Sequence, residues 1–253
     1  MNNEIPRIIH YCWFGSDKKP KSVQKFIDSW KKKLPEYTFM EWNERNCDLE
    51  QEVDYVKEAY QCKKYAFVSD YFRIKKLVEY GGVYLDTDVG IIRSFEKPLQ
   101  KHEVVIGFES AGSLGTAFIA TVPQKPLFKE FLESYANRHF LREDGSFDLT
   151  TINQSINPFF EKCGLNINED KYQKLPGNIG VYPSDCFSAF NIYDWHPEPT
   201  KRTYTIHYMA SSWQPKWQMM KFVIIKAAQK LIGVNNYKEL RAFIKGHQNQ
   251  KKD

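Results

Sequence analysis

The sequence predicts an α/β fold with a mixed, mostly parallel central sheet. Short apolar runs that suit strands alternate along the chain with longer amphipathic segments that suit helices. From the amino terminus the order is strand, helix, strand, helix, helix, strand, which is typical of a sheet covered by helices. The last of these strands ends in Asp86 and Asp88, at the carboxyl edge where open α/β sheets bind ligands.

The first elements follow from hydrophobic periodicity and from the residues that break it. Apolar residues at helical spacing alternate with short apolar runs, and glycine or proline follows several of them. These patterns predict strands at 6–14 and 37–42 and helices at 21–34 and 49–60.

A predicted helix over 63–78 and a predicted strand over 83–85 carry or directly precede most of the candidate functional residues. Gly81 and Gly82 separate the two elements. The sequence predicts an apolar helix face and an opposite basic face. The apolar face is Ala66, Phe67, Phe72, Ile74, Leu77 and Val78, and the basic face is Lys63, Lys64, Lys75 and Lys76.

The second half of the chain is less regular. It predicts a strand at 104–108, helices at 126–135 and 150–160, and loops with short strands over 165–204. The small-residue segment 110–121 predicts turns or a close backbone approach to a ligand. Residues 1–215 form the predicted domain, and residues 216–253 form a basic, apolar helical tail.

Composition excludes several classes of protein. The 253 residues with a formal charge of +5 suit one large domain, and no basic block with interleaved aromatics indicates nucleic-acid binding. The five cysteines are odd in number and lack a Cys-x-x-Cys pair, which argues against a disulfide framework or a zinc knuckle and favours a reducing cytosol. The sequence shows neither a signal-peptide pattern nor an apolar run of the ~20 residues that span a bilayer.

Asp86 and Asp88 are the first candidates for chemistry. Two carboxylates at a strand end suit a divalent cation that also holds substrate phosphates. They also suit a haloacid-dehalogenase-like phosphatase with Asp86 as the nucleophile, although such enzymes usually place the pair near the amino terminus and add a later acidic pair. A solvated loop is the third interpretation of the same triplet.

Four other candidate functional residues could also have a purely structural role. They are Asp70, Arg73, Trp13 and His207. Asp70 and Arg73 are one helical turn apart, so they form either a surface ion pair or a core-side pair that meets a nucleotide. Trp13 is either a core residue or a platform for a nucleobase. His207 is either a hydrogen-bonded core histidine or a ligand that completes a metal site with the two aspartates.

Three segments, 5–15, 65–89 and, more loosely, 206–213, resemble glycosyltransferase family 32. They read IPRIIHYCWFG, YAFVSDYFRIKKLVEYGGVYLDTDV and IHYMASSW. That family includes yeast-type mannosyltransferases and bacterial capsule enzymes, and its fold resembles the glucosyltransferase domains of clostridial toxins. The resemblance implies a GT-A (Rossmann-like) nucleotide-sugar-binding fold and a retaining sugar transfer with Mn²⁺ or Mg²⁺.

The resemblance also implies a role for each matching residue. Trp13, Ser69 and Tyr84 match positions around the base and ribose, and Asp70 and Arg73 match residues that hold the donor sugar and phosphate. Asp86 and Asp88 match the metal-binding carboxylates, with His207 as a third ligand. Ser211 and Trp213 match a Ser-x-Trp that closes over the diphosphate.

The expected partners are a nucleotide-sugar donor, with a UDP-sugar favoured over GDP-mannose, and a saccharide or lipid-linked saccharide acceptor in surface or capsular polysaccharide synthesis. The expected location is the cytoplasm, with residues 217–232 either on the inner membrane face or packed on protein. The alternatives are the phosphatase, and a membrane-binding or partner-binding protein whose transferase site is vestigial.

Overall fold

The computed structural model describes residues 4–15, 18–191 and 195–209, with scattered positions between 224 and 237. Within these residues the strands are short, as the sequence predicts. They are β1 (Ile8–Cys12), β2 (Thr38–Trp42), β3 (Gly82–Leu85), β4 (Val89–Ile91), β5 (Val104–Ser110), β6 (Ser113–Thr121), β7 (Gln173–Leu175), β8 (Ile179–Tyr182), β9 (Phe190–Asn191), β10 (His196–Pro197) and β11 (Thr205–His207).

The predicted helices occur in the predicted order, but one of them is divided into two elements. The segment predicted as one helix over 49–60 is a 3₁₀ turn (Leu49–Gln51) followed by a separate α-helix. The α-helices are α1 (Lys21–Lys33), α2 (Asp54–Gln61), α3 (Tyr65–Tyr80), α4 (Glu96–Lys101), α5 (Pro126–Glu133), α6 (Ile152–Lys162) and α7 (Ser184–Phe187).

Seven strands form the central sheet in the order β2-β1-β3-β6-β5-β8-β7. Strand β6 runs antiparallel to β3 and β5, and β7 runs antiparallel to β8, while the other neighbouring pairs are parallel. Five of these seven strands therefore run in one direction, which confirms the prediction of a mixed, mostly parallel sheet.

Apolar side chains cover both faces of the sheet. Successive residues of a strand point to opposite faces, and accordingly Tyr84 belongs to one apolar cluster while its neighbours Val83 and Leu85 belong to the other. The cluster around Tyr84 includes residues of α2, α3, α5 and α6, and the cluster around Val83 includes residues of α1. The sheet is thus the middle layer of the domain.

The segment 110–121 is mainly a strand, which corrects the prediction of turns. Residues Ser113–Thr121 form β6, the central antiparallel strand, and only the turn at 111–112 separates it from β5. Small residues are needed there because neighbours approach closely: a Cβ on Gly115 would lie 2.9 Å from the Ser188 hydroxyl oxygen. A strand buried on both faces also lacks the apolar–polar alternation from which strands are recognised.

Helix α3 begins and ends close to its predicted limits, but Lys76 does not lie on an exposed basic face. Its side chain is buried, with Nζ 4.4 Å from the centroid of the Trp42 ring and 2.8 Å from Glu79 Oε2. The lysine is buried because the aromatic rings attract its ammonium group and Glu79 balances its charge.

A separate two-stranded pairing brings the carboxyl-terminal segment back to the sheet edge. Strand β11 pairs antiparallel with β4, and His207 lies opposite Val89. Strand β4 is three residues long and follows Asp88 directly, and it is too short for the sequence pattern to predict. Because of this pairing, His207 returns to the turn that carries the two aspartates.

Among the described residues, no helix combines the length and apolar character needed to cross a bilayer. The described positions of the tail include Ile224 and 230–232, which are helical. Most of the segment 217–232 lies outside the described residues, so its predicted continuous helix stays a prediction.

His10 fixes β1 to the loop that follows α3. Its Nε2 lies 2.8 Å from the Gly81 carbonyl oxygen, and its Nδ1 accepts a hydrogen bond of 3.1 Å from Trp42 Nε1. Burial is the main reason that its pKa falls to about 4. A protonated Nδ1 would lose this bond and face the indole N–H.

We expect His10 to make the fold less stable in mild acid. Its folded-state pKa lies below the ordinary value of 6.5, so the stability it supplies is present above pH 6.5 and is lost as the pH falls towards about 4. Between pH 7 and pH 5 this loss is about 2 kcal/mol.

Urea unfolding of the protein and of His10→Gln at pH 7 and pH 5 checks this expectation. The variant is less stable at pH 7 but loses about 2 kcal/mol less than the unsubstituted protein on acidification. Equal losses in the two proteins would contradict it.

Candidate active site

Asp70 and Arg73 form a buried pair on the core side of α3. Arg73 Nη2 lies 2.7 Å from Asp70 Oδ1, and their side chains are only 6% and 12% exposed. The interpretation as a surface ion pair is therefore wrong. Two charged groups in an apolar helix face require further polar partners.

Arg73 finds those partners on two strands. Its Nη1 donates to the Thr116 carbonyl oxygen of β6 at 2.9 Å, and its Nη2 lies 3.3 Å from Asp86 Oδ1. The guanidinium carbon lies 4.6 Å from the centroid of the Tyr84 ring on β3. One side chain thus joins α3, the end of β3 and β6.

Tyr84 supports Asp86 from inside the sheet. The buried hydroxyl of Tyr84 donates to Asp86 Oδ1 at 2.8 Å. Burial raises the pKa of this hydroxyl well above its ordinary value, so it keeps the proton that it donates. Tyr84 thus fixes Asp86 through this hydrogen bond, and its expected place near the ribose and base stays a prediction.

For Asp70 and for Arg73, burial and the nearest opposite charges shift the pKa in opposite directions. Burial raises the pKa of Asp70 to about 6, although the neighbouring Arg73 lowers it. Burial also acts to lower the pKa of Arg73, but Asp86 and the other anionic neighbours outweigh it and raise that pKa. The cation is therefore retained, and Asp70 takes up a proton in mild acid.

Asp86, Asp88 and His207 converge at the carboxyl end of β3. Each offers one ligand atom, and these atoms all lie within 4.8 Å of one another. His207 Nε2 is 3.4 Å from Asp88 Oδ1, and the side chains of both residues are mostly buried. The structure thus brings together the three residues that the sequence singles out as metal ligands.

This group fits a divalent cation. Burial lowers the pKa of His207, but the surrounding carboxylates, Asp88 first and then Glu109 and Asp86, outweigh burial and raise it to about 10, so the site favours a positive charge. Within the described part of the chain, the buried His207 Nδ1 makes no hydrogen bond of ordinary length, and Glu109 Oε1 faces it at 3.6 Å. Two carboxylates and an imidazole suit Mn²⁺ better than Mg²⁺, which prefers oxygen ligands alone.

Trp13 lies beyond the carboxyl end of β1, beside a cavity of about 350 Å³. Its indole Nε1 is buried and lacks a hydrogen-bond partner among the described residues. The cavity is lined by aromatic, charged and amide side chains that include Trp13, Lys19, Asn43, Arg45, Tyr60 and Tyr65. Its size and aromatic walls suit a nucleobase.

The other predicted residues have weaker or undescribed placements. The Ser69 hydroxyl donates to the Tyr65 carbonyl oxygen within α3 at 3.0 Å, so the structure assigns it a bond inside its own helix. Ser211 and Trp213 lie outside the described residues.

The sequence pattern does not single out three polar residues of this site, which are Asn153, Thr116 and Glu109. Asn153, in the first turn of α6, accepts a 2.6 Å hydrogen bond from Thr116 and donates a 3.0 Å hydrogen bond to Glu109 at the end of β5. The backbone N–H of Ile152 donates to Asp70. Glu109 carried a usable signal, a carboxylate after a buried apolar strand, whereas the strand position of Thr116 was hidden among small residues.

The chain matches a family model described as the glycosyltransferase sugar-binding region containing the DXD motif, over residues 20–106. It is 28% identical over 207 residues to the mannosyl phosphorylinositol ceramide synthase CSH1 of Saccharomyces cerevisiae, covering 76% of this chain and 53% of that protein. Its identity to the inositol phosphoceramide mannosyltransferase 1 of Schizosaccharomyces pombe is 23% over 217 residues, covering 78% and 64% of the two chains. The chain thus spans less than two thirds of the length of these relatives.

Among solved structures, the PaToxG glycosyltransferase superposes with a TM-score of 0.52 at 18% identity, covering 63% of this chain and 69% of that chain. This likeness, together with the mixed sheet, confirms the predicted GT-A fold. The Asp-x-Asp triplet within the matched residues is Asp86 to Asp88, at the carboxyl end of β3. The chain is therefore similar to glycosyltransferases that carry the DXD sugar-binding region, and the match to that region covers residues 20–106.

Proposed function

We propose that this chain is a retaining, metal-dependent glycosyltransferase that moves a sugar from a nucleotide-sugar donor to a saccharide or lipid-linked saccharide acceptor. The observation that carries the proposal is the convergence of Asp86, Asp88 and His207 beside the buried Asp70–Arg73 pair. A cation site next to buried polar groups suits a ligand with a diphosphate and hydroxyl groups. Retention of configuration is supported by the family resemblance alone.

Asp86, Asp88 and His207 would hold Mn²⁺ or Mg²⁺, and the bound cation would supply positive charge against the departing nucleoside diphosphate. The side chains of this protein position the reacting groups. Arg73 fixes the carboxylate of Asp86 through its 3.3 Å contact, and Asp70, paired with Arg73 on α3, would hold the donor sugar as the resemblance implies. Such preorganised charges need little rearrangement during the transfer, which makes them effective in catalysis.

The cavity beside Trp13 receives the base of the donor nucleotide in this proposal. The resemblance to the toxin domains favours a UDP-sugar, whereas the names of the curated relatives favour a mannose donor such as GDP-mannose. The names of those relatives also favour a lipid-linked acceptor. The resemblance to capsule enzymes supports a role in bacterial surface polysaccharide synthesis instead.

The phosphatase alternative is not carried further, because the family model and the relatives are glycosyltransferases. Asp86 is also engaged by Tyr84 and Arg73, and these contacts make it a poor nucleophile. The described part of the proposed site keeps its charged residues, which argues against a vestigial function.

The tail supports a narrower proposal about location. We place the protein in the cytoplasm, with residues 216–253 acting as a peripheral anchor on the inner face of the membrane. Ile224 and Leu231 are helical and are 65% and 84% exposed, so they present apolar surface to the surroundings. Exposed apolar residues beside lysines suit an anionic lipid surface.

Replacing Asp88 by Asn should lower donor hydrolysis by at least about 100-fold, because the variant loses an anionic cation ligand at the place where charge develops. The measurement is release of nucleoside diphosphate from the donor with and without Mn²⁺. Asp28→Asn, on the exposed side of α1, is the matched control and should keep full activity. Undiminished, chelator-resistant hydrolysis by Asp88→Asn would contradict the proposed function.

A thermal-shift screen identifies the donor. UDP-glucose, UDP-galactose, UDP-N-acetylhexosamines and GDP-mannose are each compared with and without Mn²⁺, and the true donor should raise the melting temperature most when Mn²⁺ is present.

Trp13→Ala should weaken binding of that donor by about 10- to 100-fold, because one stacked base is lost. Unchanged affinity in Trp13→Ala would exclude the cavity as the base site.

The tail proposal predicts binding to anionic vesicles. Replacing Ile224, Leu231 and Ile232 together by Ser should reduce flotation with phosphatidylglycerol vesicles by at least about threefold, because apolar area contacts the lipid. Neutral phosphatidylcholine vesicles are the control for the charge contribution. Equal flotation of the variant and the unsubstituted protein would exclude these residues as an anchor.

A further inference from the structure

Glu109 occupies a position between the proposed cation site and α6. It lies near the carboxyl end of β5, and its side chain is 24% exposed. Its Oε1 is 3.6 Å from His207 Nδ1, and its Oε2 accepts a 3.0 Å hydrogen bond from Asn153 Nδ2. The carboxylate thus has one oxygen held by α6 and the other directed at the histidine.

The two ring nitrogens of His207 face different carboxylates. Nε2 lies 3.4 Å from Asp88 Oδ1, on the side of the proposed cation site, and Nδ1 faces Glu109. A neutral imidazole carries its proton on one nitrogen only, and the hydrogen bond made by that nitrogen decides which one it is. When Asp88 binds a cation it no longer accepts a proton from Nε2, so the carboxylate beside Nδ1 holds the proton there and leaves the lone pair on Nε2.

We propose that Glu109 is a positioning residue that accepts the Nδ1–H of His207 and thereby presents Nε2 to the divalent cation. The inference rests on the proposed metal-dependent function. Among the described residues, the group whose ligand atoms lie within 4.8 Å of one another is Asp86, Asp88 and His207, without Glu109. Glu109 thus lies behind the ligand, where a carboxylate fixes the orientation of a metal-binding imidazole.

Glu109 is itself held by a chain of hydrogen bonds that returns to Asp86. Asn153 accepts a 2.6 Å hydrogen bond from the Thr116 hydroxyl. That hydroxyl also lies 3.2 Å from Arg73 Nη1, and Arg73 contacts Asp86. The imidazole and the aspartate are therefore positioned by one connected set of side chains.

Mn²⁺ binding to the 253-residue chain tests the proposal without any need for donor or acceptor. Electron paramagnetic resonance of free Mn²⁺ gives the affinity, and Glu109→Ala should bind Mn²⁺ about 10- to 100-fold more weakly. Glu109→Gln should fall between Ala and the unsubstituted protein. Its amide oxygen still accepts the Nδ1–H, but its NH₂ group then faces the amide of Asn153.

Glu103→Ala is the matched control, since Glu103 precedes the same strand at the opposite edge of the sheet and also has a close partner, Lys125 at 2.6 Å. It should leave the Mn²⁺ affinity unchanged. Thermal melts of each variant without metal show that it is folded at the measuring temperature.

Pulsed electron paramagnetic resonance of bound Mn²⁺ supplies a second readout. This readout would not change if Glu109 only stabilised the fold. The unsubstituted protein should show coupling to an imidazole ¹⁴N, which is absent in His207→Ala and weakened in Glu109→Ala at saturating Mn²⁺. Glu109→Ala with unchanged affinity and unchanged coupling overturns the role of Glu109 alone. Absence of Mn²⁺ binding by the unsubstituted protein overturns the metal-dependent function as well.

Discussion

The burial of the Arg73 guanidinium is the constraint on which the site depends. A charge removed from water is tolerated only when other groups compensate it, and the compensating carboxylates, Asp70 and Asp86, come from a helix and from a strand end. Such a cluster contributes little net stability because desolvation offsets the attraction. Its effect is instead to fix the relative positions of α3, β3 and β6. It therefore also fixes the orientation of the Asp86 carboxylate.

The strand directions explain why these groups meet. Strand β3 is parallel to β1, so Trp13 and Asp86 follow strands that end at the same edge of the sheet. Strand β6 runs antiparallel to β3, with Phe118 opposite Leu85, so its early residue Thr116 lies near the end of β3. A purely parallel sheet would place the start of that strand at the opposite edge. The antiparallel strand thus contributes a polar anchor that a parallel neighbour would not.

Local signals in the sequence account for much of the fold but for only part of the site. The periodicity around Phe72 and the break at Gly81 predict α3 and its end, because both features are local. Lys76 was assigned to the wrong environment because Trp42, which attracts it, is distant in sequence. Glu109 and Asn153 meet only through tertiary packing, and no spacing along the chain indicates that contact.

The pairing of β11 with β4 also determines when the proposed cation site exists during synthesis. The matched family region, 20–106, contains both aspartates but not the histidine, which lies about one hundred residues later. A nascent chain that has folded only as far as β6 therefore holds two closely spaced carboxylates without their third ligand. In addition, a slip of one residue in the β4–β11 register turns alternate side chains to the opposite face. Capture of a cation at the proposed site would thus depend on the docking of β11 in its correct register.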